Sequence, residues 1–181
     1  MTSAPAGPDD PSLVRALDQM EQLIGAVTAD QMSLPTPCSD WDVRELLRHV
    51  VSGTGRFATR ASGQRADWSG VQPDVLGDDP AAAWRQGRDD LLSAIREHPG
   101  TAPRVLPMLV IESAVHAWDL ATATGRTDRL DPTLAQTALG LARQHLTPEA
   151  RAGNTAFRPE VPVPPDAPPY ERLAGFLGRH P

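Results

Sequence analysis

Three side chains that can bind a proton or a metal ion share one side of an otherwise apolar helical stretch. Glu112, His116 and Asp119 fall within about 60° of one another when residues are placed at about 100° each on a helical wheel. Apolar residues flank this stripe on both edges: Met108, Val115, Leu109 and Leu120. A helix that is apolar on most sides is usually buried, and buried charges need partners, of which a metal ion is one.

The spacing of Glu112 and His116 brings a carboxylate and an imidazole one helical turn apart. That distance is short enough for both groups to bind one ion. The same spacing also arises by chance, and Glu and His at i,i+4 often form an exposed pair on a helix surface. The apolar flanks favour the metal site, while the pattern alone leaves both interpretations open.

Asp119 follows His116 by about one turn. It could orient the imidazole of His116, or a bound water, from behind the metal ligands. The alternative is an acid that stabilises the helix by pairing with Arg126 or Arg129. We weigh the two interpretations equally, because acids in such positions are not always functional. The sequence identifies no other catalytic or cofactor-binding residue.

His49 is the candidate third ligand. It lies in the stretch LLRHVV, at the edge of the apolar stripe of a predicted helix. Histidines are usually only partly buried in proteins, which favours a residue at the edge of the core that is half exposed to solvent. The alternative is a metal ligand at a rim where a substrate could enter. If His49 is not a ligand, Asp42 and Glu45 on the same side are the next candidates.

A few residues outside the stripe could contact a substrate. Arg56 or Arg60 could meet an anion, since guanidinium pairs well with carboxylate, although a solvated surface arginine is the simpler interpretation of each. Trp68 lies in a loop rich in Gly, Ser and Asp and could line an opening. Trp41 is interpreted as a packing residue.

Composition excludes several classes of protein. The 181 residues carry a net charge of −6, which argues against nucleic-acid binding. All 17 basic residues are Arg, so a lysine Schiff base and a P-loop lysine are excluded. The single cysteine, Cys38, excludes an intramolecular disulfide and fits the cytoplasm. No run approaches the roughly 18–20 apolar residues of a membrane helix, and no secretory signal is visible, so we expect a cytoplasmic protein with no membrane partner.

Apolar periodicity and cap residues predict five helices and a short sixth. The first spans about 12–29 with Ser12 as its cap, and the second runs from a cap at Ser39 or Asp40 to about residue 62. The third spans about 80–97, and the fourth begins with Pro107 in its first turn and ends at Gly125. The fifth runs from the cap Asp131 to about 150, and the sixth spans about 170–178.

No segment alternates with a period of two, so the fold class is predicted to be all-α. Four long helices would form a bundle on which the fifth packs. Residues 1–11 contain three prolines and are expected to be a disordered leader, with 12–181 forming a single domain. Residues 152–169 contain six prolines and are expected to be an extended segment packed on that domain.

Three stretches together resemble one family. They are LPTPCSDWDVRELLRHVV (34–51), IESAVHAWDLATATG (111–125) and YERLAGFLGRHP (170–181). They are similar to the metal-binding domain at the N-terminus of mycothiol-dependent maleylpyruvate isomerases, within the DinB-like superfamily. The resemblance covers nearly the whole chain. It implies a DinB-like four-helix bundle that holds a divalent metal, usually zinc, at the positions of His49, Glu112 and His116.

Three protein ligands would leave a fourth position open, as in catalytic zinc sites. The resemblance therefore implies a metal-dependent enzyme that activates a small thiol such as mycothiol, or water, for transfer to or isomerisation of a small electrophile. A site of two His and one Glu would also accept Ni²⁺, Fe²⁺ or Co²⁺. The alternative is a non-catalytic bundle that binds a metal or an apolar ligand, for which a homodimer is a natural state.

Overall fold

Four helices pack in a closed ring around one core. The computed structural model describes residues 7–38, 41–68, 74–147 and 158–181. Its helices are α1 (Pro11–Ile24), α2 (Val43–Ala61), α3 (Pro80–Glu97), α4 (Ala102–Thr124), α5 (Pro132–His145) and α6 (Pro169–Phe176). Helix α1 packs on α4, α4 on α2, α2 on α3, and α3 on α1; α5 packs on α4 and α1, and α6 on α5 and α4. The predicted all-α, DinB-like bundle is confirmed.

Helix α4 is the central element of the bundle. Between Leu109 and Ala121 every residue except the half-buried Glu112 is buried. The helical stretch Pro99–Thr124 is long and apolar enough to cross a membrane, contrary to the sequence-based expectation, but 78% of its most apolar window is buried inside the protein. Packing against α1, α2, α5 and α6 accounts for its apolar composition.

The predicted start of α4 at Pro107 is wrong. A 3₁₀ turn over Pro99–Thr101 leads directly into a helix that begins at Ala102 and keeps Pro107 in its interior. Pro103 is tolerated because the first amides of a helix have no intrahelical partner. Pro107 removes one backbone bond, and burial of Leu106 and Leu109 offsets that loss. The predicted end is confirmed, because Gly125 caps the helix at φ 70°.

Two further helix ends differ from the prediction. Helix α1 ends at Ile24 and not near 29, because Gly25 closes it and the amides of Ala26 and Val27 turn back to Leu23 and Ile24. Helix α5 ends at His145 and not near 150. The last predicted residues, from 148, lie outside the described part of the chain.

Aspartates cap the starts of four helices: α1, α2, α3 and α5. Asp10, and not Ser12, caps α1 by accepting from the Ser12 amide at 2.9 Å. Asp42 caps α2 through a reciprocal capping box: its side chain accepts from the Glu45 amide at 2.8 Å, and the Glu45 carboxylate accepts from the Asp42 amide at 3.0 Å. The proposed caps Ser39 and Asp40 lie outside the described residues, as do residues 1–6 of the predicted leader.

The described part of the proline-rich segment, residues 158–168, has no regular secondary structure. The Val161 amide donates to the Gly175 carbonyl at 2.9 Å, which joins this segment to α6. A Cβ at Gly175 would collide with the Val163 side chain, so glycine permits this close contact. Residues 152–157 of the predicted segment are outside the described range.

Candidate metal centre

His49, Glu112 and His116 come together where α2 packs on α4. Glu112 Oε2 lies 3.2 Å from His116 Nε2 and 3.6 Å from His49 Nε2. The two imidazole rings have centroids 4.8 Å apart, and one donor atom from each of the three residues lies within 4.8 Å of the others. Two residues of one helix and one from a distant helix therefore present their donors to a common point.

The local sequence explains this convergence. Glu112 and His116 occupy consecutive turns of the most buried part of α4, so their side chains leave the helix on one side. His49 lies in the second turn of α2, whose start is fixed by the Asp42–Glu45 capping box. That box occupies the two alternative ligands, and neither joins the donor cluster among the described residues. The His49 side chain is 19% exposed, which places it at the rim that its edge position on the wheel predicted.

Two of the three separations between donor atoms suit a metal ion of tetrahedral geometry. Bonds of about 2.0–2.1 Å at tetrahedral angles place neighbouring ligand atoms about 3.3 Å apart. The separations of 3.2 Å and 3.6 Å around Glu112 Oε2 lie on either side of that value. Imidazole nitrogen and carboxylate oxygen are also the donors that zinc and similar divalent ions accept. The residues present therefore suit a divalent ion.

Asp119 fixes which nitrogen of His116 faces the cluster. Its Oδ2 lies 2.9 Å from His116 Nδ1, and neither side chain has more than 6% of its surface exposed. An ionised carboxylate can only accept, so Nδ1 carries the proton and Nε2 of the neutral ring is left with a lone pair. That lone pair points at the Glu112 carboxylate, and two acceptors 3.2 Å apart need a cation between them. A proton on Nε2 or a metal ion satisfies this requirement.

The electrostatics of the cluster favour positive charge. Burial raises the pKa of the Glu112 carboxyl, but hydrogen bonds from His116 and His49 outweigh burial and lower it overall. Burial lowers the pKa of the His116 imidazole, and its bonds to Asp119 and Glu112 more than reverse this. At His49 burial prevails, so its pKa is lowered. The ionised Glu112 carboxylate thus lies between one imidazole whose pKa is raised and one whose pKa is lowered.

Comparison with known proteins identifies the family of this chain. Residues 13–121 match the family described as the mycothiol maleylpyruvate isomerase N-terminal domain. The chain belongs to this family. The match spans α1 to α4 and includes all three donor residues.

Two relatives of the chain come from Mycobacterium tuberculosis. They are the uncharacterized protein MT0763 of strain CDC 1551 / Oshkosh and the uncharacterized protein Rv0738 of strain ATCC 25618 / H37Rv. Each is 36% identical over 178 residues, which cover 91% of this chain and 94% of the relative. No solved structure matches the chain.

Trp41 also lies at the site, although the sequence pattern suggested only a packing role for this residue. Its ring centroid lies 4.6 Å from that of His49 and 5.9 Å from that of His116. Backbone bonds on both sides hold it in place: Thr36 N donates to the Trp41 carbonyl at 3.2 Å and Trp41 N donates to Cys38 O at 2.8 Å. The usable signal was its place in the same stretch of family resemblance as His49.

Arg179 is the second residue that sequence reasoning missed. Its guanidinium pairs with Asp119, with Nη2 3.0 Å from Oδ2 and Nε 3.4 Å from Oδ1. The sequence suggested Arg126 or Arg129 as the partner of Asp119. Arg126 is not that partner: it donates to the Gln31 side chain and to the Ala26 carbonyl. Sixty positions separate Asp119 from Arg179, so no local spacing could have found the pair.

A cleft opens beside the three donors. Its enclosed space is small, about 30 Å³, and one wall is formed by the donor residues. Apolar side chains from four helices and a loop form most of the rest: Met20, Val50, Phe57, Trp68, Trp84 and Leu109. Trp68 packs against Phe57 at a centroid distance of 5.2 Å, and the Arg56 guanidinium lies 5.6 Å from the Trp68 ring. Trp68 thus lines an opening, as its loop position suggested.

Proposed function

We propose that this protein is a metal-dependent enzyme that activates a small thiol, of the mycothiol kind, or water, for transfer to or isomerisation of a small electrophile. His49, Glu112 and His116 would hold the divalent ion, with zinc the first candidate and Ni²⁺, Fe²⁺ and Co²⁺ the alternatives. The observation that carries the proposal is the convergence of three donor residues from two helices, with Glu112 Oε2 3.2 Å from His116 Nε2 and 3.6 Å from His49 Nε2.

The donor set and the cleft support a catalytic role over a purely structural one. Structural zinc sites are normally closed by four protein ligands, whereas catalytic sites have three and leave one position free. The described residues supply three donors, and the cleft reaches them. A bound zinc ion would stabilise the deprotonated form of a thiol or a water molecule near neutral pH.

The chain's own residues would bind and orient the reactants. The apolar walls of the cleft exclude water from the apolar body of an electrophile and strengthen polar interactions at its base. Trp41 covers the ring of His49 and limits its rotation. Arg56, whose Nη1 is buried without a partner, is placed near the cleft mouth beside Trp68 and suits an anionic group on the substrate.

The family name and the wider properties of the chain support the same proposal. The family is named for a mycothiol-dependent isomerase, so a thiol is the first cosubstrate to test. A net charge of −6 disfavours a nucleic-acid partner, and a single cysteine suits the cytoplasm. A small molecule is therefore the proposed partner.

The test begins with metal analysis of protein purified without chelator. We expect about one equivalent of divalent metal in the wild type and in the control His145→Ala, which removes an exposed imidazole of α5, and less than a tenth in His116→Ala. Mycothiol and a second small thiol are then added to the Co²⁺-substituted protein. A changed visible spectrum supports thiol activation, whereas an unchanged spectrum with metal bound favours a non-catalytic, metal-binding bundle.

A further inference from the structure

The residue Arg179 lies two positions from the end of the chain, yet only 7% of it is exposed. The turn after α6 brings it inward: Gly178 adopts φ 84°, which favours glycine, and the Arg179 amide donates to the Ala174 carbonyl at 2.9 Å. Its Nη1 also donates to the Leu177 carbonyl at 3.1 Å. Hydrogen bonds to the backbone of this turn therefore help to position the guanidinium, in addition to its contact with other side chains.

Arg179 ends a buried chain of polar contacts that starts at the donor cluster. His116 Nδ1 lies 2.9 Å from Asp119 Oδ2, and the same oxygen accepts from Arg179 Nη2 at 3.0 Å. The other oxygen, Oδ1, accepts from Arg179 Nε at 3.4 Å. Both carboxylate oxygens are thus engaged by one planar guanidinium, the fork geometry that distinguishes arginine from lysine.

Contact at two points restricts Asp119 more than contact at one. A carboxylate held by one partner can rotate about its Cβ–Cγ bond, but one held at both oxygens by a rigid fork has its plane fixed. The plane of Asp119 in turn sets the direction from which it accepts the Nδ1 proton of His116. The orientation of the His116 ring, and so the direction of its Nε2 lone pair, therefore depends on Arg179.

We propose that Arg179 is a positioning residue of the metal centre, acting through Asp119 to aim His116 Nε2 at the ion. This inference rests on the proposed function, since it needs a metal at His49, Glu112 and His116. It assigns a role in the site to the C-terminal end of the chain, beyond residues 13–121 that match the family. The alternative is that Arg179 only fastens α6 to α4, with no effect specific to the metal.

The test measures metal affinity by chelator competition with Zn²⁺ and Co²⁺ in the full chain. Arg179→Met should raise the Kd about tenfold, the lower end of the range for residues that support a metal ligand. Arg179→Lys should cause a smaller loss, since lysine is a point donor and not a fork. The control Arg172→Met removes the same charge from a half-buried position of α6 and should leave the Kd unchanged.

A double-mutant cycle separates positioning from simple fastening. If Arg179 acts through Asp119, then Arg179→Met should add less than about twofold to the Kd of the Asp119→Asn variant. The visible spectrum of the Co²⁺-saturated, folded Arg179→Met protein should also differ from that of the wild type, because one imidazole is redirected. Fastening alone would lower the melting temperature of the metal-free protein and leave that spectrum unchanged.

Several results would overturn the proposal. One is a Kd for Arg179→Met within twofold of the wild type, and another is an equal loss in the Asp119→Asn background. If the methionine variant does not fold, the lysine variant decides: wild-type Kd and spectrum in that variant count against positioning. A wild type that binds no metal would refute the proposed function itself, whereas tight wild-type binding with no effect at Arg179 refutes only this inference.

Discussion

Replacing His49 by alanine should remove most of the stability that a metal ion adds to this protein. His49 is the best ligand to delete because its side chain lies at the rim, 19% exposed, whereas His116 is in the core. Its Nδ1 is buried without a partner, so no bond of that atom is lost. The losses in the metal-free protein are the ring contact with Trp41, about 0.5–1.5 kcal/mol, and the contact of Nε2 with the Glu112 carboxylate.

The size of the effect follows from binding linkage. Free metal at 100 times the Kd stabilises the folded state by about 2.7 kcal/mol. For a chain of 181 residues this corresponds to a rise in Tm of roughly 5–11 °C, at about 2–4 °C per kcal/mol. If loss of one of three ligands raises the Kd at least 100-fold, the same free metal contributes only about 0.4 kcal/mol, and the rise falls to roughly 1–2 °C.

The assay is thermal unfolding followed by circular dichroism, with Zn²⁺ buffered at a fixed free concentration and again with excess chelator. The control His145→Ala should keep the full difference in Tm between the two conditions. A difference in His49→Ala as large as in the wild type would refute the reasoning, because the third ligand would then lie elsewhere.

Four other predictions follow from the same geometry. Glu112→Ala and His116→Ala should each abolish metal retention on a desalting column, since each removes one of three donors; retention of a full equivalent by either would contradict the assignment. Asp119→Asn should raise the Kd for Zn²⁺ by about 10–100-fold while leaving some binding, as measured by chelator competition. Gly87→Ala should destabilise the protein by about 1–3 kcal/mol in urea unfolding, because the new Cβ would collide with Thr54 Oγ1, and Thr54→Ala should restore part of the loss. The metal-free protein should lose stability as the pH falls through about 4, because the pKa of Asp119 is lowered from 3.8 in the folded state and protonation is therefore favoured by unfolding; Asp119→Asn should flatten this dependence, and an equal slope in both proteins would contradict it.

The fold was largely readable from the sequence because local signals set its elements. Aspartate followed by proline marks the starts of α3 and α5, and Gly125 marks the end of α4. The wrong start of α4 came from weighing proline without its position in the helix. Pro103 and Pro107 suggested a break and a late start, yet one lies in the first turn and the other costs a single bond within a well-buried helix.

The candidate site was readable only in part. The pairing of Glu112 with His116 followed from helical spacing and apolar flanks, whereas His49 lies at the edge of its stripe and needed the family resemblance to single it out. Trp41 and Arg179 lie in the stretches of family resemblance, but their contacts with the site depend on packing that no residue spacing encodes. Asp119 could be recognised as a candidate support for His116, but its second partner depends on how α6 docks, which no spacing encodes.

The most direct test of the central claim is a crystal structure with anomalous diffraction data collected on both sides of the zinc absorption edge. The account predicts one anomalous peak about 2.0–2.2 Å from Nε2 of His49, Nε2 of His116 and a carboxylate oxygen of Glu112, with a non-protein ligand on the side of the cleft. A fully loaded, folded protein whose peak lies elsewhere, or in which His49 does not touch the ion, would contradict it.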